Sequence, residues 1–237
     1  MKTKVNQISK NLRKKWKLDS CIPIDLDKTL AKNYPKLTII YYPMSISTSG
    51  MSINFKNNQF IGINSHMSKG HQRFTIAHEL YHLICNEGFK EELIICSYLN
   101  KDINESEKEA DLFASYLILP SEGLEKFIEE ENIKKWTLDD IIKLEQLYQI
   151  SHKGTLTRLK HEKLITNREY LDLSHISINY ESKKRGFNND LYGPSKLQYF
   201  TTGYYISLIM KVSGRRKISP IKKEKLLSGC FRKDLIM

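Results

Sequence analysis

The stretch RFTIAHELYHLIC, residues 73–85, constrains the fold of this chain more than any other. It is apolar and rich in helix-forming residues, yet it contains His78, Glu79 and His82. On a helix, residues four apart lie one above the other, so both imidazoles face one point and Glu79 lies beside them. This H-E-x-x-H spacing is typical of a zinc site whose glutamate is the general base of a metallopeptidase. The sequence therefore predicts a helix with a metal site on the flank of its buried face.

A catalytic zinc ion usually has three protein ligands, so the third must come from another segment. The candidates are the acidic residues of the next predicted helix: Glu105, Glu107, Glu109 and Asp111. At about 100° per residue, Glu107 and Asp111 share a face that borders the apolar stripe, whereas Glu105 and Glu109 point roughly the opposite way. Glu107 is the predicted third ligand, and Asp111 is predicted to accept a hydrogen bond from a ligand histidine. Glu109 is explained locally as the capping-box partner of Ser106.

Each of these residues also has a simpler explanation. Buried histidines are often hydrogen-bonded core residues, and the H-E-x-x-H spacing also arises by chance. Glu79 alone is compatible with an ordinary salt bridge on a helix. The conjunction of this helix with a later helix that carries two acids one turn apart favours the metal site over these alternatives.

The length and composition of the chain indicate a globular protein. Its 237 residues, 40% of them hydrophobic, are enough for one sizeable core with or without a smaller appendage. The first twenty residues lack an apolar signal region, and no apolar run is long enough to span a bilayer. The four cysteines include no C-x-x-C pair, which argues against a disulfide framework and a thiolate zinc site. We therefore expect a cytoplasmic protein without a membrane partner.

The order of the segments predicts an α+β fold. Helices are expected within residues 1–34, and three strand-like runs, LTIIYYP, GMSINFK and QFIGINS, predict a small antiparallel sheet. The metal helix is expected to end at residues 86–88, the second helix to start at Asn104 or Ser106 and stop at Pro120, and a third to start at Thr137 with a capping box to Asp140. We predict a core at residues 1–125, a helix-turn-helix-like region at 126–174 and a C-terminal extension at 175–237.

The motifs resemble those of the ImmA/IrrE family of bacterial and phage metallopeptidases. RFTIAHELYHL is similar to the family's H-E-x-x-H helix, and EKEADLFASYLILP is similar to its E-x-x-A-[ND]-x-F-A element with a closing Leu-Pro. Asn64, in the strand before the helix, also matches many members. The resemblance covers residues 35–120. It implies a small sheet packed on a zincin-like helix pair, a helical C-terminal extension, His78, His82 and Glu107 as zinc ligands, and Glu79 as the base. A departure is Tyr81, where the family often has Gly.

The resemblance implies a protease of narrow specificity that cleaves a transcriptional repressor and so releases stress-response or mobile-element genes. One zinc ion per chain is expected, and two imidazoles with a carboxylate also accept manganese or iron. In this reaction Glu79 takes a proton from water and later protonates the leaving amine. The residue that stabilises the oxyanion stays open among Tyr81, Tyr116 and His71.

Two further functions are compatible with the sequence. The net charge of +11 favours acidic partners, and two helices joined by ISHKG resemble a helix-turn-helix, with Lys153, Thr155, Thr157, Arg158 and Lys160 on or just before the second one. The densest basic runs are residues 13–17 and 215–225, although lysine is common throughout and a diffuse excess is usually only solvated. Direct DNA binding is the first alternative, less expected than docking on a DNA-binding repressor. The second is a metal-containing regulatory protein that binds a repressor or DNA without cleaving.

Overall fold

The computed structural model describes residues 2–55, 58–85, 93–97, 105–194 and 197–236. The expected helix end at 86–88 and the predicted helix start at Asn104 lie outside these ranges. The first helices and strands are α1 (Lys2–Lys15), α2 (Leu26–Asn33), β1 (Leu37–Tyr42), β2 (Thr48–Phe55), β3 (Asn58–Asn64), α3 (Lys69–Cys85), β4 (Leu93–Ser97) and α4 (Glu105–Ile118). They are followed by α5 (Ser121–Glu130), α6 (Leu138–Tyr148), α7 (His152–His161), α8 (Asn167–Ser174), α9 (Ile178–Lys184), β5 (Phe200–Gly203), α10 (Tyr204–Gly214) and α11 (Pro220–Gly229). Within the described ranges, no helix has both the length and the apolar character needed to cross a bilayer.

The five strands form one mixed sheet in the order β4-β2-β3-β1-β5. The predicted α+β class with a small sheet and a helical C-terminal part is confirmed. The sheet is not wholly antiparallel, however, because β1 and β3 pair in parallel from Leu37↔Gln59 to Tyr42↔Asn64. Strand β2 follows β1 in the sequence but is not its neighbour in the sheet. Strand β3 pairs with both of them, parallel to β1 and antiparallel to β2, and so lies between them.

The side chain of Asn64 holds this crossover in place. It is fully buried at the end of β3 and donates hydrogen bonds to the main-chain oxygens of Ser45 and Thr48, at 2.9 and 2.8 Å. Its Oδ1 atom accepts from the amides of Met44 and His66. One amide side chain therefore satisfies four backbone groups of the β1–β2 connection and of the turn into α3.

The C-terminal region contributes directly to this sheet. Strand β5 pairs with the edge strand β1 in antiparallel register, from Thr38↔Gly203 to Tyr41↔Phe200. Gly203 has a φ of 94°, and a Cβ atom there would overlap the carbonyl of Leu37. This close approach lets the chain turn at once from β5 into α10. The proposed division at residues 125 and 174 stays a prediction.

The hydrophobic core lies between the sheet and the helices that cover it. Ile61 and Ile63 of β3 pack in one cluster with Leu80 of α3 and Phe113 of α4, all fully buried. A second, smaller cluster lies between α10 and α11 and contains Ile206, Ile209, Leu227 and Cys230. The molecule thus has one main core and a small appendage built on its β5 edge.

Three arginines link segments that are distant in sequence. Arg13, in the first predicted basic run, is only 3% exposed and donates to the carbonyls of Leu117, Asp19 and Ile22. Arg73, in the RFTIA motif, donates to the carbonyls of Gln149 and Ile24. Arg158, also 3% exposed, donates to the hydroxyls of Ser115 and Ser121. The guanidinium groups of Arg13 and Arg158 thus satisfy polar atoms inside the fold, whereas Arg73 is partly exposed; Arg158 also forms an ion pair with Glu162 at 3.0 Å.

Candidate metal centre

Helices α3 and α4 bring three potential ligands to one point. The Nε2 atoms of His78 and His82 lie 3.3 Å apart. Each of them lies 3.2 Å from a different carboxylate oxygen of Glu107. Both histidines are buried, at 7% and 3% exposure, and Glu107 is partly exposed. The three donor atoms therefore form a compact triangle at the edge of the helix pair.

This triangle has the dimensions of a metal site. Ligand atoms at about 2.0–2.1 Å from a tetrahedral zinc ion lie about 3.3–3.4 Å from one another. The Nε2–Nε2 distance is close to this spacing, as are the two contacts to Glu107, which are made by its two different oxygens, and one ligand atom from each residue lies within 4.8 Å of the others. Hydrogen bonds from His78 and His82 hold the pKa of Glu107 well below its usual range, so its carboxylate is ionised. Two imidazoles and one carboxylate could hold a divalent ion.

Asp111 determines which nitrogen of His78 faces the ligand triangle. Its Oδ1 atom lies 2.8 Å from Nδ1 of His78 and accepts a hydrogen bond from that nitrogen. In its neutral form, with the proton on Nδ1, His78 carries a lone pair on Nε2, and in its protonated form it donates from both nitrogens, as in its hydrogen bond to Glu107. His82 differs, because its Nδ1 atom is buried with no hydrogen-bond partner among the described residues. Asp111 thus orients one of the two rings.

Glu79 lies on the sheet side of α3 and is completely buried. A Cβ atom on Gly50 of β2 would lie 2.5 Å from Thr75 Cγ2 and 3.4 Å from Glu79 Oε1. Strand β2 therefore allows α3 to approach closely only because residue 50 is glycine. Sequence reasoning missed Gly50, although a glycine inside a strand pattern signals a close backbone approach.

The three oxyanion candidates occupy different surroundings. His71 is in the first turn of α3, with its Nε2 atom 3.1 Å from the Ser49 hydroxyl. Burial lowers its pKa to about 4, so the imidazole is neutral at physiological pH. Tyr116 lies nine residues after Glu107 on α4, a rise of about 13 Å. Its hydroxyl donates to Glu162, so this residue is on the α7 side of α4.

Tyr81 connects the two helices that carry the ligands. Its hydroxyl donates a 2.6 Å hydrogen bond to Glu109 Oε2, and burial together with this bond raises its pKa. The ring packs against Phe113 with centroids 5.4 Å apart. Ser106 was the predicted partner of Glu109, but it lies inside the first turn of α4, which begins at Glu105. The hydrogen bond and the ring contact of Tyr81 therefore connect α3 to α4 next to the ligands.

Helix α7 presents only part of its predicted recognition face. Lys153, Thr157 and Lys160 are exposed, at positions that share one side of the helix. Thr155 and Arg158 are buried and so cannot contact DNA bases. Direct DNA binding by α7 stays a prediction.

A comparison with protein-family models gives one match, to the IrrE N-terminal-like domain, Peptidase_M78, over residues 33–160. The chain belongs to this family. The match extends from the end of α2 through α7 and includes all of the sheet except β5, together with both ligand-bearing helices. It confirms the resemblance drawn from the motifs and supports a metallopeptidase-family function. No curated protein matches the chain.

Proposed function

We propose that this member of the IrrE N-terminal-like family is a zinc-dependent endopeptidase that hydrolyses one peptide bond in a specific protein. The observation that carries this proposal is the convergence of His78, His82 and Glu107, with Glu79 directly after the first ligand. Family membership supports the reaction class. The cofactor we propose is one zinc ion per chain, because the donor spacing suits a tetrahedral site.

Each residue around the ligands has a distinct role in this reaction. A bound zinc ion supplies Lewis-acid chemistry, since it polarises the scissile carbonyl and lowers the pKa of water. Asp111 keeps the proton of His78 on Nδ1, which leaves Nε2 free to act as a ligand. Glu79 takes a proton from the attacking water and returns it to the leaving amine. The hydroxyls of Tyr81 and Tyr116 already donate to carboxylates, so we assign the hydrogen bond to the oxyanion to neutral His71.

The proposed substrate is a transcriptional repressor, whose cleavage would release stress-response or mobile-element genes. This part of the proposal rests on the resemblance to the ImmA/IrrE family. We place the reaction in the cytoplasm, where such a repressor acts. Binding of a repressor or of DNA without cleavage is the alternative that the experiment must distinguish.

The test compares Glu79→Gln with the unchanged protein. The substitution removes the base without touching a ligand, so it should retain one metal ion per chain and reduce cleavage by a factor of about a thousand or more. Metal content and identity are measured by elemental analysis, and cleavage by mass-spectrometric detection of new protein N-termini in an extract of the source cells. His78→Ala/His82→Ala, which removes two ligands, should lose both metal and cleavage.

The outcomes separate the alternatives. New N-termini that appear with the unchanged protein, and not with Glu79→Gln, identify the substrate and support the mechanism. Cleavage by Glu79→Gln at the normal rate contradicts the assigned base. Metal that is retained by the unchanged protein without any cleavage favours the regulatory protein that only binds.

A further inference from the structure

The net positive charge of the chain is concentrated near its two ends: residues 1–17 contain seven basic and no acidic residues, and the last two helices form the other basic region. Residues 204–236 contain nine of the 38 basic residues and only two of the 27 acidic residues. They therefore hold seven of the eleven net positive charges in about a seventh of the chain. The excess of positive charge is therefore distributed unevenly along the chain, whereas the general abundance of lysine indicated an even distribution.

Most cations of this region are exposed and have no acidic partner among the described residues. Six of them, here called the basic surface, lie in α10, in the turn after it and in α11: Lys211, Arg215, Arg216, Lys217, Lys222 and Lys225. In the described part of the chain, none of the six lies within 4 Å of a carboxylate. Arg232 shows the contrast, because it forms an ion pair with Asp234 at 2.9 Å.

The stability of the helices does not explain these cations. Helix α11 begins with the Ser219 cap and Pro220, and its first turn contains Lys222 and Lys223 but no acid. The N-terminus of a helix carries a partial positive charge, so lysines there oppose the helix dipole. Unpaired like charges this close together also repel one another. The stability of the helices therefore does not account for this arrangement, which favours an anionic partner outside the chain.

The large apolar residues of α11 are mostly buried, which argues against a membrane as the partner of the basic surface. A helix that binds at the bilayer interface inserts a wide apolar face among the lipids. Leu227 is fully buried in the small cluster with α10, and Leu226 packs against the same cluster. Among the described residues of α11, Ile221 is the one large apolar side chain that is strongly exposed, at 79%. The exposed face of α11 is thus polar and basic, and α10 exposes Leu208 and Met210 only in part, at 37% and 38%.

We propose that the basic surface binds the phosphate backbone of duplex DNA. The duplex offers a dense array of negative charges that lysine and arginine neutralise without reading the sequence. The surface belongs to the β5 edge of the sheet, at the opposite end from β4, while α3 packs on β2 and β3. DNA on this edge leaves the metal centre accessible to a protein. This binding goes beyond the proposed peptidase activity and does not depend on it.

The experiment measures binding of a random-sequence duplex by fluorescence anisotropy at several salt concentrations. The affinity of the full-length protein should fall steeply between about 50 and 200 mM salt, with a log–log slope of about −0.9 for each phosphate contact. The triple variant Arg215→Gln/Lys217→Gln/Lys222→Gln should bind at least about tenfold more weakly, with a slope smaller by about 2 to 3.

The matched control removes three exposed lysines elsewhere, Lys32→Gln/Lys134→Gln/Lys135→Gln. It should retain the affinity of the unchanged protein, and an equal loss in both triple variants would overturn the proposal, because the net charge alone would then explain binding. Glu79→Gln should bind DNA with the affinity of the unchanged protein. A failure of the proposed peptidase mechanism would therefore leave the DNA-binding result unchanged. Binding to vesicles of phosphatidylserine and phosphatidylcholine without binding to DNA would assign the surface to a membrane and also contradict the proposal.

Discussion

Two buried arginines of the body and the exposed cations of the last two helices use their charge in opposite ways. In the body, Arg13 and Arg158 are almost fully buried and donate to carbonyl and hydroxyl groups from other segments. In the last two helices, Arg215 and Lys222 are exposed and have no acidic partner among the described residues. The first kind of charge stabilises the fold, whereas the second is available to a ligand. The net charge of the chain does not distinguish these two kinds of cation. They differ in whether the group that the cation contacts lies inside the protein.

A second buried charge cluster belongs to the body. Glu145 of α6 is fully buried and lies 2.7 Å from Nδ1 of His152 and 2.7 Å from the hydroxyl of Tyr192. The other nitrogen of His152 lies 3.1 Å from the carbonyl of Leu173. Because both ring nitrogens face acceptors, His152 donates from both and is an imidazolium. The cluster joins α6 and α7 to the segment that follows α9.

The largest effect should come from Arg13→Ala. The change leaves the carbonyls of Leu117, Asp19 and Ile22 without their buried donor, so we expect a loss of about 3 kcal/mol or more in the free energy of unfolding. Urea denaturation followed by circular dichroism measures it. Arg215→Ala, the exposed control, should change stability by less than about 0.5 kcal/mol. Similar losses for both variants would remove the distinction between the two regions.

The next effect concerns the metal centre. Asp111→Asn weakens the acceptor that orients His78, so we expect zinc affinity to decrease about 10- to 100-fold. Competition with a chromophoric chelator measures the affinity. Glu105→Gln, an exposed change in the same helix, should leave it unchanged. An unaltered affinity in Asp111→Asn would show that the ligand triangle is rigid without this contact.

The buried pair Glu145–His152 should make stability depend on pH. Burial lowers the pKa of His152, but the hydrogen bond and charge of Glu145 outweigh burial, so its pKa is raised. Burial also raises the pKa of Glu145. Because both pKa values are higher in the folded state, folding takes up protons, and the stability from His152 is complete below its unfolded pKa of 6.5 and lost as pH rises through its folded pKa.

The stability difference between the unchanged protein and His152→Gln should therefore decrease as the pH rises above about 6.5, the unfolded pKa of histidine. Thermal unfolding at each pH measures this difference. His175→Gln, which changes an exposed histidine, should show no such trend. A difference that grows with pH would mean that the pair is neutral in the folded protein.

The smallest expected effect is a gain in stability, in contrast to the loss expected for Arg13→Ala. Lys222→Gln/Lys223→Gln removes two cations from the first turn of α11, so we expect stability to rise by about 0.5 kcal/mol at low salt. Lys211→Gln, near the C-terminus of α10, should lower it slightly, because a cation is favourable there. Chemical denaturation in low and high salt compares them. A clear loss of stability in the double variant would show that the basic surface has a structural role.

Local periodicity predicted much of the candidate site. The four-residue spacing of His78 and His82 depends only on one helix turn, and the faces of α4 ranked Glu107 and Asp111 above their acidic neighbours. Capping chemistry likewise predicted the start of α6, where Thr137 and Asp140 form the expected capping box. The bond between Tyr81 and Glu109 was not predicted, because it depends on the rotation of two helices about each other.

By itself, then, the sequence determined which residues are near one another along a single helix or strand, together with the family to which the chain belongs. Only the tertiary structure decided the parallel pairing of β1 with β3, the addition of β5 to the same sheet and the separation of buried from exposed arginines. The physical reason is that these features depend on contacts between distant segments. Asn64 satisfies the backbone of the β1–β2 crossover, and Arg13 satisfies carbonyls from three places, and neither role follows from a local pattern.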